Sequence, residues 1–169
     1  MNANELFIQH SRWRLKDDYW PRIQKCAALL SEDEMWRRPN DASNSVGNIL
    51  LHLCGNVRQW VVHGLGGETD NRKRQSEFDE RSPIPKAELL AKMEQTLNEV
   101  DAVLAQLDPN TLTEPRKIQG YDETTLTAVY HIVEHFSYHL GQIAYITKAY
   151  QAVDLGFFNI GDDGYSTNS

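Results

Sequence analysis

LTAVYHIVEHFSYHLGQIAYITKAY, Leu126 to Tyr150, is the stretch whose reading decides the fold. Its apolar residues recur with a helical period, and at about 100° per residue His131, His135 and His139 fall within an arc of about 80°, one turn apart each. Neutral imidazoles so placed can converge on one divalent ion, and a pair at i, i+4 is the tightest grip that one helix offers. A third ligand must then come from another helix. His52 is the candidate, because it sits in the middle of an apolar segment, beside rather than on the stripe of Leu50, Leu53 and Val57. The competing reading makes all four satisfied core or interface histidines, each bonded to a backbone carbonyl or to a carboxylate such as Glu134. His10 and His63, near helix ends among polar neighbours, read as surface or capping residues.

Working outward, three more long segments have helical periodicity and none alternates as a strand does, so the class is all-α. The first runs from about Asn4 to Leu30, with Leu6, Trp13, Trp20, Ile23, Ala27 and Leu30 on one stripe and a kink or split expected at Pro21. Ser31 to Glu34 has capping-box spacing and predicts a short helical turn through Trp36. The second long helix begins near Ser43 to Ser45, carries Val46, Leu50, Leu53, Val57 and Trp60 inward, and stops at Gly64. The third starts at Pro85 and buries Leu89, Met93, Leu97, Val100 and Leu104, and the fourth is capped around Asp122 to Thr125.

Between the second and third helices, GLGGETDNRKRQSEFDERSPIP reads as an exposed connection. Connections between antiparallel bundle helices usually take ~2–8 residues, so one of about 20 can travel the length of the bundle and make those two helices parallel. Residues 1–150 then form one domain and residues 151–169 a tail whose Phe157 and Phe158 need covering, by the bundle or by a second subunit.

The segment GYDETTLTAVYHIVEHFSYHLGQI, Gly120 to Ile143, with its H-x-x-x-H-x-G-Q ending, resembles the last bundle helix of the DinB/YfiT-like superfamily of metal-dependent enzymes. NILLHLCGNVRQW, Asn48 to Trp60, is similar to that family's first ligand helix. The resemblance implies a four-helix bundle of up-down-down-up topology, commonly dimeric, with one divalent metal on three histidines. By position these are His52, His135 and His139. His131 then becomes a pocket residue and Gln142 helps to line the site. Three neutral ligands leave the ion its full charge and an open coordination position, as a catalytic site requires. Imidazoles suit zinc, nickel, iron and copper alike, with zinc or nickel expected first.

Characterised branches of the family are similar to S-transferases or isomerases that use a low-molecular-weight bacterial thiol, so the leading expectation is thiol transfer to an electrophilic small molecule. A metal-hydroxide hydrolase of a small ester or amide is the first alternative, with Glu134 and Tyr138 as the sequence-adjacent candidates for a base. A non-catalytic bundle that binds metal or ligand is the second. His131-Ile-Val-Glu134-His135 also satisfies H-x-x-E-H, the inverted zinc-protease motif, but such proteases need a further acidic ligand far downstream and only 34 residues follow His135. Cys54 lies two residues from His52, about 200° around the helix, and should face away from the metal.

Composition limits the partners. With 24 acidic and 17 basic side chains, net charge -7, the chain offers no positive field for nucleic acid or anionic membrane. The longest apolar run, Cys26 to Leu30, is far short of a span, and the charged start MNANELFIQHSRWRLKDD lacks a signal peptide's apolar stretch, so a soluble cytoplasmic protein is expected. Cys26 and Cys54 have neither disulfide-framework nor C-x-x-C spacing and should be buried hydrophobes. A homodimer is expected from the tail phenylalanines and the four tryptophans.

Overall fold

Asn2 opens the first helix with a capping box: its side chain accepts from the Glu5 amide while the Glu5 carboxylate accepts from its own. In the computed structural model, which describes residues 1–158, helix α1 runs Ala3–Trp13, widens into a π-helical turn at Arg14–Tyr19 and resumes as Trp20–Leu29. The irregularity expected at Pro21 takes the form of that π turn, which precedes the proline and leaves it in the first turn of the resumed helix, where its missing N–H costs least. Asp18, buried, pairs there with Arg14 and, at 2.6 Å, with Arg22.

The extra residue of the π turn rotates the inward face. Trp20, Ile23, Ala27 and Leu30 are buried as the stripe predicts, but Leu6 and Trp13 are 56% and 44% exposed, and Ile8 and Leu15 take the inner positions instead. A uniform 3.6-residue period, carried back across the turn, places Leu6 and Trp13 inside, and only for these two does the stripe fail.

Helix α2, Glu32–Trp36, carries the Ser31/Glu34 capping box. Helix α3, Val46–Val57, is capped by Ser45 and continues through a second π turn at Arg58–His63; Val46, Leu50, Leu53, Val57 and Trp60 are all buried. The connection that follows is not merely an exposed link. It contains helix α4, Arg74–Asp79, and buried Asn48 of α3 pins it down by donating to the carbonyls of Glu77 at 2.9 Å and Glu80 at 3.1 Å. Arg38 adds bonds to Asn48 at 2.7 Å and to the Phe78 carbonyl at 2.9 Å.

Helix α5, Lys86–Ala105, buries the whole predicted stripe from Leu89 to Leu104. A 3₁₀ turn, Pro109–Thr111, leads to an antiparallel hairpin of β1, Pro115–Ile118, and β2, Tyr121–Thr124. The all-α reading has no place for this hairpin. Its two-residue turn, Gln119 at φ 54° and Gly120 at φ 85°, matches the twist of the paired strands. Helix α6, Thr125–Gln151, starts at a Thr124 capping box and buries Ala128, Val129, Ile132, Phe136, Leu140 and Ile143.

One core joins α1, α3, α5 and α6. Polar contacts fix the helix ends: Lys86 Nζ donates to the Leu30 carbonyl at 2.7 Å, Trp36 Nε1 to the Ile84 carbonyl at 3.0 Å, and Gln151 to Glu34 at 2.8 Å, while Arg12 pairs with Asp101 at 2.6 Å. Both cysteines are buried. After α6 the chain folds back: Leu155 is buried, Phe157 packs on the core, and Arg22 lies 5.4 Å and 4.7 Å from the ring centres of Phe157 and Phe158. The tail's aromatic pair thus meets its own helix α1, although Phe158 stays 61% exposed; residues 159–169 of the expected tail lie outside the described residues. Among the described residues no helix is long and apolar enough to cross a membrane.

Candidate metal centre

Helix α3 brings His52 to the face of α6 that carries the histidine run. One ring nitrogen from each of His52, His135 and His139 lies within 4.8 Å of the others, and His52 Nε2 stands 2.9 Å from His135 Nε2. The ring centres are 5.1 Å (His52–His135), 5.0 Å (His52–His139) and 4.5 Å (His135–His139) apart. His52 and His139 are buried and His135 is half-buried.

For His52 and His139 the far side of the ring explains which nitrogen faces inward. Glu77 Oε2 lies 3.0 Å from His52 Nδ1, and Arg72 grips the same carboxylate with two bonds, Nε to Oε1 at 2.7 Å and Nη2 to Oε2 at 2.8 Å. Burial alone pushes the Glu77 carboxyl up, but the hydrogen bonds from Arg72 and His52 outweigh it and hold the group below the usual carboxylate range. An ionised carboxylate only accepts, so Nδ1–H of His52 donates to Glu77 and Nε2 keeps its lone pair. His139 Nδ1 meets Gln142 Oε1 at 2.7 Å, which accepts for the same reason and turns the His139 Nε2 lone pair inward.

Desolvation drives His135 down to about 3, helped by the neighbouring imidazoles and Arg72, and His139 down to about 4. Both are therefore neutral at physiological pH, the state in which imidazole binds metal. Without a cation, His135 Nε2–H can donate to the His52 lone pair. With one, three ring nitrogens are already gathered within reach of it, so the donor set and its largely buried setting fit a divalent ion.

Other sequence candidates fall elsewhere. His131 stacks on Trp60, ring centres 3.9 Å apart, one turn from His135 and outside the group of three; its desolvation lowers its pKa. Glu134 is exposed and, with Tyr138, lines a groove against α1 rather than the histidine cluster. The Tyr138 ring does touch His139 edge-on at 5.1 Å, but it is 63% exposed. Cys54 points to α5, with Sγ 3.9 Å from Met93 Sδ, and burial pushes its thiol up to about 12. His10 is exposed against Trp13, and His63 bonds the Glu68 carbonyl.

Arg72 and Glu77 were missed because they lie in a connection whose polarity reads as solvent exposure. The signal available was a demand for a partner: a buried ligand histidine needs a carboxylate or carbonyl behind it. Gly55, one turn along α3, marks the place, since a Cβ there would overlap the Glu77 carboxylate.

A family profile described as "Protein of unknown function (DUF1572)" matches residues 2–163. The chain belongs to this DinB-like family. The DinB-like fold is also that of a crystal structure of a DinB-like protein from Bacillus cereus, with a TM-score of 0.65 and 14% identity over 86% of this chain and 91% of that one. No curated protein matches the chain. The DinB-like character accounts for the architecture; the chemistry must be argued from the histidines themselves.

Proposed function

We propose that this protein is a divalent-metal-dependent enzyme in which His52, His135 and His139 hold one zinc or nickel ion, and that it transfers a small thiol to an electrophilic small molecule. The observation that carries this reading is the convergence of His52 Nε2 and His135 Nε2 at 2.9 Å, with Glu77 behind His52 and Gln142 behind His139. When bound, an ion with three neutral ligands supplies the Lewis acidity that brings a thiol's pKa from ~8.5 toward neutrality. The chain's own residues fix the imidazoles, and desolvation keeps His135 and His139 neutral. In the transfer a sulfur–carbon bond forms; with a chlorinated aromatic the chloride departs with its electron pair and the thiol proton passes to solvent, and with a maleyl-type acceptor the C=C π bond breaks and the neighbouring carbon takes up a proton, so that nothing departs.

Transfer is favoured over hydrolysis because the expected bases, Glu134 and Tyr138, line a different groove, while Glu77 is engaged by both Arg72 and His52. The end contacts support the finer fold reading of an up-down-down-up four-helix bundle: Leu30 and Ile84 meet the start of the third long helix and the first turn after α1, and Arg12 meets Asp101 near the helix's other end. A homodimer is the assembly we propose, through the groove where exposed Leu6 of α1 meets exposed Tyr130 and Tyr138 of α6.

The test is incubation of metal-loaded protein with bacillithiol, mycothiol, glutathione or coenzyme A and a chlorinated aromatic or maleyl-type electrophile, followed by mass spectrometry. A metal-dependent conjugate is expected with at least one thiol. Ester cleavage without thiol, and no conjugate, would replace transfer by hydrolysis.

A further inference from the structure

His52, Gly55 and Gln59 follow one another at i, i+3 and i+7 along α3 and its π turn. Two side chains of the connection lie across them: Glu77 reaches His52, a Cβ at Gly55 would meet both Glu77 and Arg72, and Arg72 reaches Gln59. The Arg72 side chain is only 5% exposed, and all three of its guanidinium nitrogens are engaged. Nε donates to Glu77 Oε1 at 2.7 Å, Nη2 to Glu77 Oε2 at 2.8 Å and Nη1 to Gln59 Oε1 at 2.8 Å.

The neighbours of the Gln59 amide fix its orientation. A guanidinium only donates, so it must meet the amide oxygen, and an ionised carboxylate only accepts, so Asp70 Oδ2, 2.6 Å from Gln59 Nε2, must meet the amide nitrogen. Burial pushes the Asp70 carboxyl up, but the bonds from Gln59 and from the Arg72 backbone N–H outweigh it and hold the group below the usual carboxylate range. Because Asp70 Oδ1 accepts that backbone N–H at 3.0 Å, Asp70, Gln59 and Arg72 are joined in a closed ring of three bonds. Gln119, at the tip of the hairpin, donates to the same Gln59 oxygen.

Arg72 Nη2 also lies 3.2 Å from His52 Nδ1, so two arrangements compete. With Nη2–H on Glu77, Nδ1–H of His52 donates to the carboxylate and Nε2 keeps its lone pair. With Nη2–H turned to Nδ1, the neutral ring carries its proton on Nε2 instead, where it blocks a cation. The guanidinium is a rigid plane, so fixing Nε and Nη1 decides where Nη2 points. We infer that Gln59 is a positioning residue for the metal centre: by holding Arg72 Nη1 it keeps Nη2 on Glu77 and selects the His52 tautomer whose Nε2 is free. The inference rests on the reading of His52 as a metal ligand and adds to it a residue two turns away.

The test uses metal-free protein labelled with ¹⁵N at histidine, in which the ring nitrogens report which of them carries the proton; the His52 pair is assigned by its loss in His52→Gln. Wild-type His52 is expected as the Nδ1–H tautomer alone. Gln59→Met, of similar length without the amide, should populate Nε2–H and weaken zinc binding about tenfold in competition with a chromogenic chelator. Since Gln59 acts through Glu77, Gln59→Met added to Glu77→Ala should cost no further zinc affinity. Asp70→Ala, at an exposed position, opens the same ring and should shift the tautomer in the same direction, which keeps the test open if Gln59→Met fails to fold. A wild-type tautomer in these variants, unchanged zinc affinity in Gln59→Met, or additive losses with Glu77→Ala would overturn the inference. A wild-type protein that binds no zinc would refute the metal reading instead, and the tautomer comparison would still decide the role of Gln59.

Discussion

Glu77 accepts a hydrogen bond from His52 at 3.0 Å, joining two residues 25 positions apart in the chain, and it is held there by the two-pronged grip of Arg72. The pair ties the connection between α3 and α5 to the histidine cluster. It orients the ring and fixes the tautomer that turns the Nε2 lone pair inward.

Glu77→Ala should therefore weaken metal binding by about 10–100-fold, with a smaller loss in Glu77→Gln, which still accepts a hydrogen bond. Competition against a chromogenic chelator measures this. Unchanged affinity in Glu77→Ala would show that the carboxylate serves only the fold.

Gly55→Ala approaches the same carboxylate from α3, where the added Cβ would overlap it. Overpacking of this kind costs about 1–3 kcal/mol. The variant should melt at a lower temperature and also bind metal less tightly, because Glu77 must move. A stability loss with wild-type affinity would mean that Glu77 shifts without releasing His52.

The hairpin and the two π turns show where the reading of the sequence stopped. Leu89 to Leu104 on α5 and Val46 to Val57 on α3 repeat with unbroken helical period, and their burial follows from it. Leu6 and Trp13 precede the π turn at Arg14–Tyr19, a one-residue change of register that no local composition announces. Pro115–Ile118 and Tyr121–Thr124 are four-residue strands with charged residues and little alternation, too short for a period to be seen. The histidine spacing was legible because helix geometry alone aligns residues four apart, whereas Arg72 and Glu77 reach the site through tertiary packing.

Metal-free protein should lose stability in acid. In the folded state His135 and His139 are depressed to about 3 and about 4, against ~6.5 in an unfolded chain. The unfolded state thus binds more protons below pH ~6.5, so their contribution is complete above that value and is lost progressively as the pH falls toward 4 and 3. Urea melts of chelator-treated protein between pH 7 and about 4.5 should show this slope, flattened in His135→Gln. An equal slope in that variant would assign the acid sensitivity to other groups.

The exposed Leu6, Tyr130 and Tyr138 predict a dimer through α1 and α6. Light scattering at micromolar concentration should return twice the 19.4 kDa chain mass, and Tyr130→Glu with Leu6→Glu should return the single mass. A monomeric wild-type protein would leave that face without a self-partner.

The central claim is that His52, His135 and His139 hold one divalent ion, and elemental analysis of protein purified without a histidine tag tests it most directly. The account predicts about one equivalent of zinc or nickel per chain in the wild type, a sharp fall when any one of the three is replaced by Ala, a smaller fall in His131→Ala, and no ion in the triple variant after dialysis against chelator. A triple variant that keeps a stoichiometric ion, or a wild-type chain that takes up none, would contradict it.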